Sequence, residues 1–250
     1  MFLAVENIKL TYQDLHSETK AIDNVSFTVD KGEFISIVGP SGCGKSTLLS
    51  CIAGLTTPTS GRILLEDKEI SGVNRQIGYM LQTDNLFPWR TIYKNVLLGL
   101  EIQKKLTSEN IEYVDNSLKK YGLWEFRDSY PSALSGGMRQ RAALIRTLAI
   151  KPKLLLLDEA FSALDYQTRV NVSRDVYNIL RSENQTMIMV THDIPEAVSM
   201  SDRIVILSRR PATIARIVTT PFDTDRDTVA VRTTAEYGQC YDTVWKEMSQ

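Results

Sequence analysis

Two short stretches carry side chains suited to phosphate chemistry. Residues 39–47 read GPSGCGKST, that is Gly39, Pro40, Ser41, Gly42, Cys43, Gly44, Lys45, Ser46 and Thr47. The run fits G-x-x-x-x-G-K-[ST]. Its glycines let successive backbone N–H groups turn toward one anion, and a helix opening at Lys45 would add the positive end of its dipole. Lys45 has the reach for β- and γ-phosphates, and the Ser46 hydroxyl is a hard oxygen suited to Mg²⁺. Cys43, inside the loop with no basic partner at motif spacing, reads as a small neutral filler. The second stretch, 154–159, reads LLLLDE. Four leucines describe a strand buried on both faces, and two carboxylates follow at its C-terminal end, where open α/β sheets bind ligands. Asp158 is suited to Mg²⁺, directly or through water. Glu159 is suited to polarising an attacking water, a general-base contribution of about 10²–10⁴ in rate.

The elements that must position these residues follow from periodicity. Residues 3–9 and 22–29 alternate as half-buried strands, and 34–38 (FISIV) read as a buried strand delivering the glycine loop. A helix is expected over 45–53, ended by Gly54. A turn at Pro58, Ser60 and Gly61 leads to an exposed strand over 62–66. Between Leu86 and Leu134 the pattern is helical, with amphipathic stretches near 91–101 and 108–121. After Pro152 strand and helix alternate: strands at 154–157, 187–190 and 203–207, helices near 166–182 and 194–200. The last forty or so residues suggest short strands and a final helix containing Tyr241 and Trp245. This predicts an α/β fold with a mostly parallel sheet covered by helices. It divides as a core of about 1–85 and 135–250, with an N-terminal antiparallel β subdomain, and a helical subdomain inserted at 86–134.

Many nucleotide-hydrolysing proteins share the first two stretches, and the run 134–140, LSGGMRQ, separates them. Here the chain resembles the ATP-binding-cassette (ABC) ATPases over nearly its whole length. Leu134, Ser135, Gly136 and Gly137 match the family's signature motif, with Met138 in place of the commoner glutamine. The resemblance implies roles for further residues. Tyr12 sits where the family stacks an aromatic on adenine. Gln82 matches the Q-loop glutamine, which contacts Mg²⁺ or water. Ser162–Asp165 match the D-loop, so Asp165 joins the nucleotide-binding set. His192 matches the switch histidine at the γ-phosphate. The implied cofactors are ATP and Mg²⁺, the latter held by Ser46, Gln82 and Asp158. The implied catalytic set is Glu159, His192, Gln82 and Lys45. One chain carries one copy of each element, so the resemblance implies a dimer, with ATP sandwiched between one copy's phosphate loop and the other's Ser135–Gly137.

A finer likeness lies in Leu86-Phe87-Pro88-Trp89-Arg90-Thr91, in Asp158-Glu159-Ala160-Phe161 and in the Arg209-Arg210-Pro211 turn. These are similar to the importer group for nitrate, sulfonates and taurine, whose relatives include transporters of thiamine precursors. The implied partners are transmembrane permease subunits and, through them, an extracellular substrate-binding protein. Phe87 and Trp89 lie where the family docks its permease; packing inside the helical segment is the alternative.

Composition narrows the classes. The 250 residues are 43% hydrophobic and 24% charged, ordinary for a globular chain. Net charge is −1, so no basic excess calls for nucleic acid. Three cysteines (43, 51 and 240), with no CxxC pair and no visible leader, suggest a reducing cytoplasm. No apolar run reaches the roughly 18–20 residues that span a bilayer, so a position on the cytoplasmic face of the cell membrane is expected, held by a partner. The alternative is an ABC ATPase working on a non-transport machine.

Overall fold

The computed structural model describes residues 1–14 and 17–249. In chain order the first part holds strands β1 (Leu3–Asp14), β2 (Ser17–Val29) and β3 (Phe34–Val38), helix α1 (Lys45–Ile52), and strands β4 (Ser60–Leu65) and β5 (Lys68–Glu69). The middle holds β6 (Ile77–Met80), α2 (Ile92–Ile102), α3 (Ser108–Lys120), α4 (Gly136–Leu148), β7 (Leu154–Asp158) and α5 (Tyr166–Ser182). The last part holds β8 (Thr186–Val190), α6 (Ile194–Met200), β9 (Arg203–Leu207), β10 (Ile214–Thr219) and α7 (Ala235–Met248). The chain forms two compact units. One joins Met1–Arg75 to Tyr177–Gln250, and the other is Gln76–Val176.

In the first unit, β1 pairs antiparallel with β2 and β4, and β4 with β5. β1 and β2 run longer than the alternation predicts. Their registers shift where Asn7 (φ 51°) and Asn24 (φ 57°) adopt left-handed backbone, which breaks the period-two pattern. β4 is not an exposed strand: Ile63 and Leu65 are buried, with the intervening Leu64 only partly covered. β3 runs parallel to both β8 and β9, while β10 returns antiparallel beside β9. Every residue of β3 and β8 is buried, as central parallel strands require. Val38, Ile204 and Ile206 pack with Ile194, Ala197 and Val198 of α6 and with Cys240 and Val244 of α7. A single strand, β10, precedes α7 where short strands were expected. All three cysteines are free and buried.

Gly54 ends α1 as expected, at φ 72°. A Cβ there would lie 1.9 Å from the Gly72 carbonyl oxygen, so both the dihedral and the space demand glycine. Gly54→Ala should therefore cost at least ~2 kcal/mol. A thermal melt checks this, with an expected Tm fall of about 4–8 °C.

In the second unit, β6 and β7 pair in parallel, from Ile77 opposite Leu154 to Met80 opposite Leu157. β6 carries no alternation over its four residues, so periodicity does not reveal it as a strand. A Cβ on Gly78 would come 2.9 Å from Thr147 of α4, so α4 lies close on this strand. Between Leu86 and Leu134 the elements are α2, α3 and two 3₁₀ turns. Thr91 and Thr107 cap α2 and α3, each hydroxyl accepting from the N–H three residues on. Among the described residues, no helix is long and apolar enough to cross a membrane.

Candidate active site

The glycine loop leaves the C-terminal end of β3 and enters α1, as the motif demands. Gly42 (φ 71°) and Gly44 (φ 121°) supply the backbone turns that other residues resist. Gly39 is confined by space: a Cβ would meet the Leu207 carbonyl oxygen at 2.9 Å and the Cys43 sulfur at 3.0 Å. Lys45 is buried and folds back over its own loop, its Nζ donating to the carbonyls of Gly39 (2.8 Å) and Pro40 (2.9 Å). The ammonium is thus held at the centre of the loop, where phosphate oxygens would compete with neutral carbonyls for its protons. Ser41, Gly42 and Ser46 are exposed, Pro40, Gly44 and Thr47 half-buried. Cys43 is buried, and burial raises its thiol pKa against the opposing charge of Lys45. This agrees with a neutral filler.

His192 follows β8, next to β3 in the sheet, with Ile37 opposite Val190. Both the glycine loop and His192 therefore leave the same edge of parallel strands. His192 is exposed, while its neighbours are fixed. The Thr191 hydroxyl donates to Glu196 at 2.7 Å, and Asp193 caps α6 by accepting from the Glu196 N–H at 2.9 Å. Tyr12, on β1, presents a ring that is 48% exposed.

The second unit holds the remaining candidates. Asp158 ends β7, is buried, and accepts from the Tyr79 hydroxyl at 3.0 Å. Tyr79 was not singled out for this role in the sequence, because pairing of β6 with β7 alone brings it there. Glu159 adopts left-handed backbone (φ 47°), uncommon for a residue with a Cβ. Its carbonyl accepts from the Ser162 N–H (3.0 Å) and hydroxyl (2.9 Å), and Ser162 Oγ accepts from Gln82 Nε2 at 3.2 Å. Gln82 and the turn after Glu159 are thus joined through one serine.

Ser135 caps α4, and Gly136 and Gly137 form its first turn. A Cβ on Gly137 would meet Thr168 (3.1 Å) and Val172 (3.2 Å) of α5, so this glycine also serves helix packing. Asp165 accepts from the Thr168 N–H at 3.0 Å, which makes it a cap of α5. Hydrogen bonding to the Thr168 side chain, and then to the Thr168 N–H, lowers its carboxyl pKa. Ser135 and Asp165 are both exposed.

The residues expected to face Mg²⁺ are Ser46 in the first unit and Gln82 and Asp158 in the second, and their hydroxyl, amide and carboxyl oxygens are donor types that suit that ion. Among the described residues no cluster of three or more His, Cys, Asp or Glu could hold a metal by itself.

A glycine loop running from a buried parallel strand into a helix, with a histidine following the neighbouring strand at the same end of the sheet, defines a P-loop nucleotide-binding protein. The chain belongs to the ABC transporter family, whose model matches residues 22–162. It is 46% identical, over 99% of its length and 96% of the other's, to the uncharacterized ABC transporter ATP-binding protein YtlC of Bacillus subtilis. It is 39% identical, over 93% of its length and 88% of the other's, to the nitrate import ATP-binding protein NrtD of Synechocystis. Among solved structures, the dimeric post-hydrolysis cassette MJ0796 bound to ADP and phosphate matches with a TM-score of 0.76 and 30% identity, over 88% of this chain and all of that one. The chain is accordingly an ABC ATPase that binds ATP.

Proposed function

We propose that the chain is the nucleotide-binding subunit of a membrane importer for small molecules of the nitrate, aliphatic sulfonate, taurine or thiamine-precursor kind. Gly39–Thr47 wrap the phosphates, Tyr12 stacks on adenine, and Ser46, Gln82 and Asp158 supply protein oxygens to Mg²⁺. Glu159 takes a proton from the attacking water, and His192 contacts the γ-phosphate. Ser135, Gly136, Gly137 and Asp165 act on the ATP held by a second copy of the chain, closing a dimer that drives the permease from the cytoplasmic face of the membrane. A substrate-binding protein outside the membrane would deliver the cargo. The likeness to a nitrate import protein and to a dimeric cassette supports this reading.

The observation that carries the transport reading is Trp89. It is 72% exposed and stacked on the half-buried Phe87, with ring centroids 5.0 Å apart. It is therefore not part of the core of the helical segment. An exposed, braced aromatic is the kind of anchor that dominates protein interfaces. Affinity capture of the tagged chain from detergent-solubilised native membranes should bring down a polytopic permease. Trp89→Ala should lower that recovery at least tenfold, equivalent to about 1.4 kcal/mol or more, with an unchanged thermal melt. Recovery of soluble partners alone, from membranes whose known complexes survive, would favour a non-transport ATPase.

A further inference from the structure

Residues 81–91 connect β6 to α2 without forming helix or strand. Connections of this kind ordinarily leave their backbone groups to water and open easily. This one is tied at two places by side chains from helices. At its first half, Arg146 of α4 forks over two successive carbonyls, with Nη2 donating to Asp84 O and Nη1 to Asn85 O, both at 2.6 Å. Arg139, about two turns earlier on α4 at roughly 3.6 residues per turn, donates from Nε to the Asp84 carboxylate at 3.0 Å. Gln140 Nε2 donates to the Gln82 carbonyl at 3.4 Å.

At its second half the anchor is Asn95 of α2, which is fully buried. Its Oδ1 accepts from the Phe87 N–H at 2.7 Å. Its Nδ2 donates to the carbonyls of Phe87 (3.1 Å), Arg90 (3.0 Å) and Thr91 (3.0 Å). Arg90 is held in turn by both oxygens of Glu101 at 2.7 Å. Between the two anchors the segment carries Gln82 at one end and the Phe87–Trp89 stack at the other.

Such ties change how the segment responds to force. A loop whose carbonyls face water absorbs a displacement at one end by local rotation. Here the carbonyls of residues 82, 84, 85, 87, 90 and 91 are held by side chains, so rotation at any of them breaks hydrogen bonds whose acceptors would need new donors. The fork of Arg146 spans two carbonyls with fixed geometry, which a lysine point charge does not reproduce. Asn95 satisfies both its acceptor and its donors inside the unit, so moving the loop off it would strand a buried amide.

We propose that Arg146 and Asn95 are positioning residues that make 82–91 a single strut, so that a displacement of Gln82 is delivered to Trp89 and the reverse. The inference rests on the roles proposed above for those two end residues. Arg146 governs the half that begins at Gln82, and Asn95 governs the half that presents the aromatic stack. Neither touches nucleotide or partner in this reading.

Hydrogen exchange of the full chain, read by mass spectrometry with and without Mg²⁺ and a non-hydrolysable ATP analogue, tests this. In the parent, the analogue should slow exchange at 82–86 and at 87–91 together, each by about tenfold. In Arg146→Lys and in Asn95→Ser, slowing at 82–86 should persist while that at 87–91 falls below about twofold. A structural role alone would raise exchange across the unit and leave the two halves responding in parallel, which overturns the proposal. The parent alone can also overturn it, by responding at 82–86 but not at 87–91. No response at 82–86 in a parent that binds the analogue would instead remove the Gln82 role on which the inference stands.

Discussion

The Glu159→Gln variant is expected to bind ATP as tightly as the parent, to hydrolyse it about 10²–10⁴-fold more slowly, and to accumulate as a dimer. The argument begins with the strand. β7 delivers two carboxylates at its end, and they differ in environment. Asp158 is buried and accepts from Tyr79, which fixes the orientation of its carboxyl group. Glu159 sits on the next residue in left-handed backbone, its carbonyl pinned by Ser162, so its side chain leaves the strand in another direction. Glutamine keeps the volume and the backbone demands of glutamate but cannot take a proton from water. It also removes a negative charge from the vicinity proposed for the γ-phosphate, so binding has no reason to weaken. ATP that is bound and not cleaved holds the closed state, since a ligand shifts an equilibrium toward the form it binds better. Gel filtration with saturating ATP and Mg²⁺ and a phosphate-release assay check the two halves separately. A variant that binds ATP yet stays monomeric would sink the sandwich; one that hydrolyses at the parent rate would sink the role of Glu159.

The Lys45→Ala variant is expected to lose about 10–100-fold in ATP affinity, matching the roughly 1.5–3 kcal/mol of a hydrogen bond to a charged group. In the structure the ammonium is buried and already held by two loop carbonyls. Its charge is therefore prepaid in position: exchanging neutral acceptors for phosphate oxygens strengthens the contact without a search for the right rotamer. Alanine removes the cation and takes the side-chain donor from the carbonyls of Gly39 and Pro40, the latter keeping only the Cys43 N–H at 3.2 Å, so some loss of loop order accompanies the loss of charge. Isothermal calorimetry with ATP separates these effects when paired with a melt of the nucleotide-free variant. An unchanged affinity would contradict the assignment of the loop as the phosphate cradle.

How much of this could be read from the chain differs by residue. The strand 34–38, the helices over 166–182 and 194–200 and the strand 203–207 have the bounds that periodicity predicts. Their apolar patterns are long or sharply bounded, and local propensity agrees with burial. β6 was not legible, because four residues including a glycine hold no period; only pairing with β7 defines the strand. The exposure expected for 62–66 was wrong for Ile63 and Leu65, since pairing with β1 gives that strand a buried face.

The chemistry-bearing residue types of the site were determined by sequence alone: a nine-residue loop rich in glycine with one lysine and two hydroxyls, a carboxylate pair after four leucines, and a Ser-Gly-Gly turn. Their meaning depends on order along the chain, and order survives without coordinates. What tertiary structure decided is who holds them. Asn95 lay within reach of the sequence, a polar residue between Ile92, Val96 and Leu100 on the buried face of α2, where an unpaired amide would be costly. Arg139, Arg146 and Tyr79 gave no such signal, because an arginine or tyrosine that ends half-buried is compatible with almost any neighbour. Nor could sequence choose between a packed and a presented Trp89. A side chain's exposure depends on which elements fold over it, and those contacts are made by residues far away in the chain.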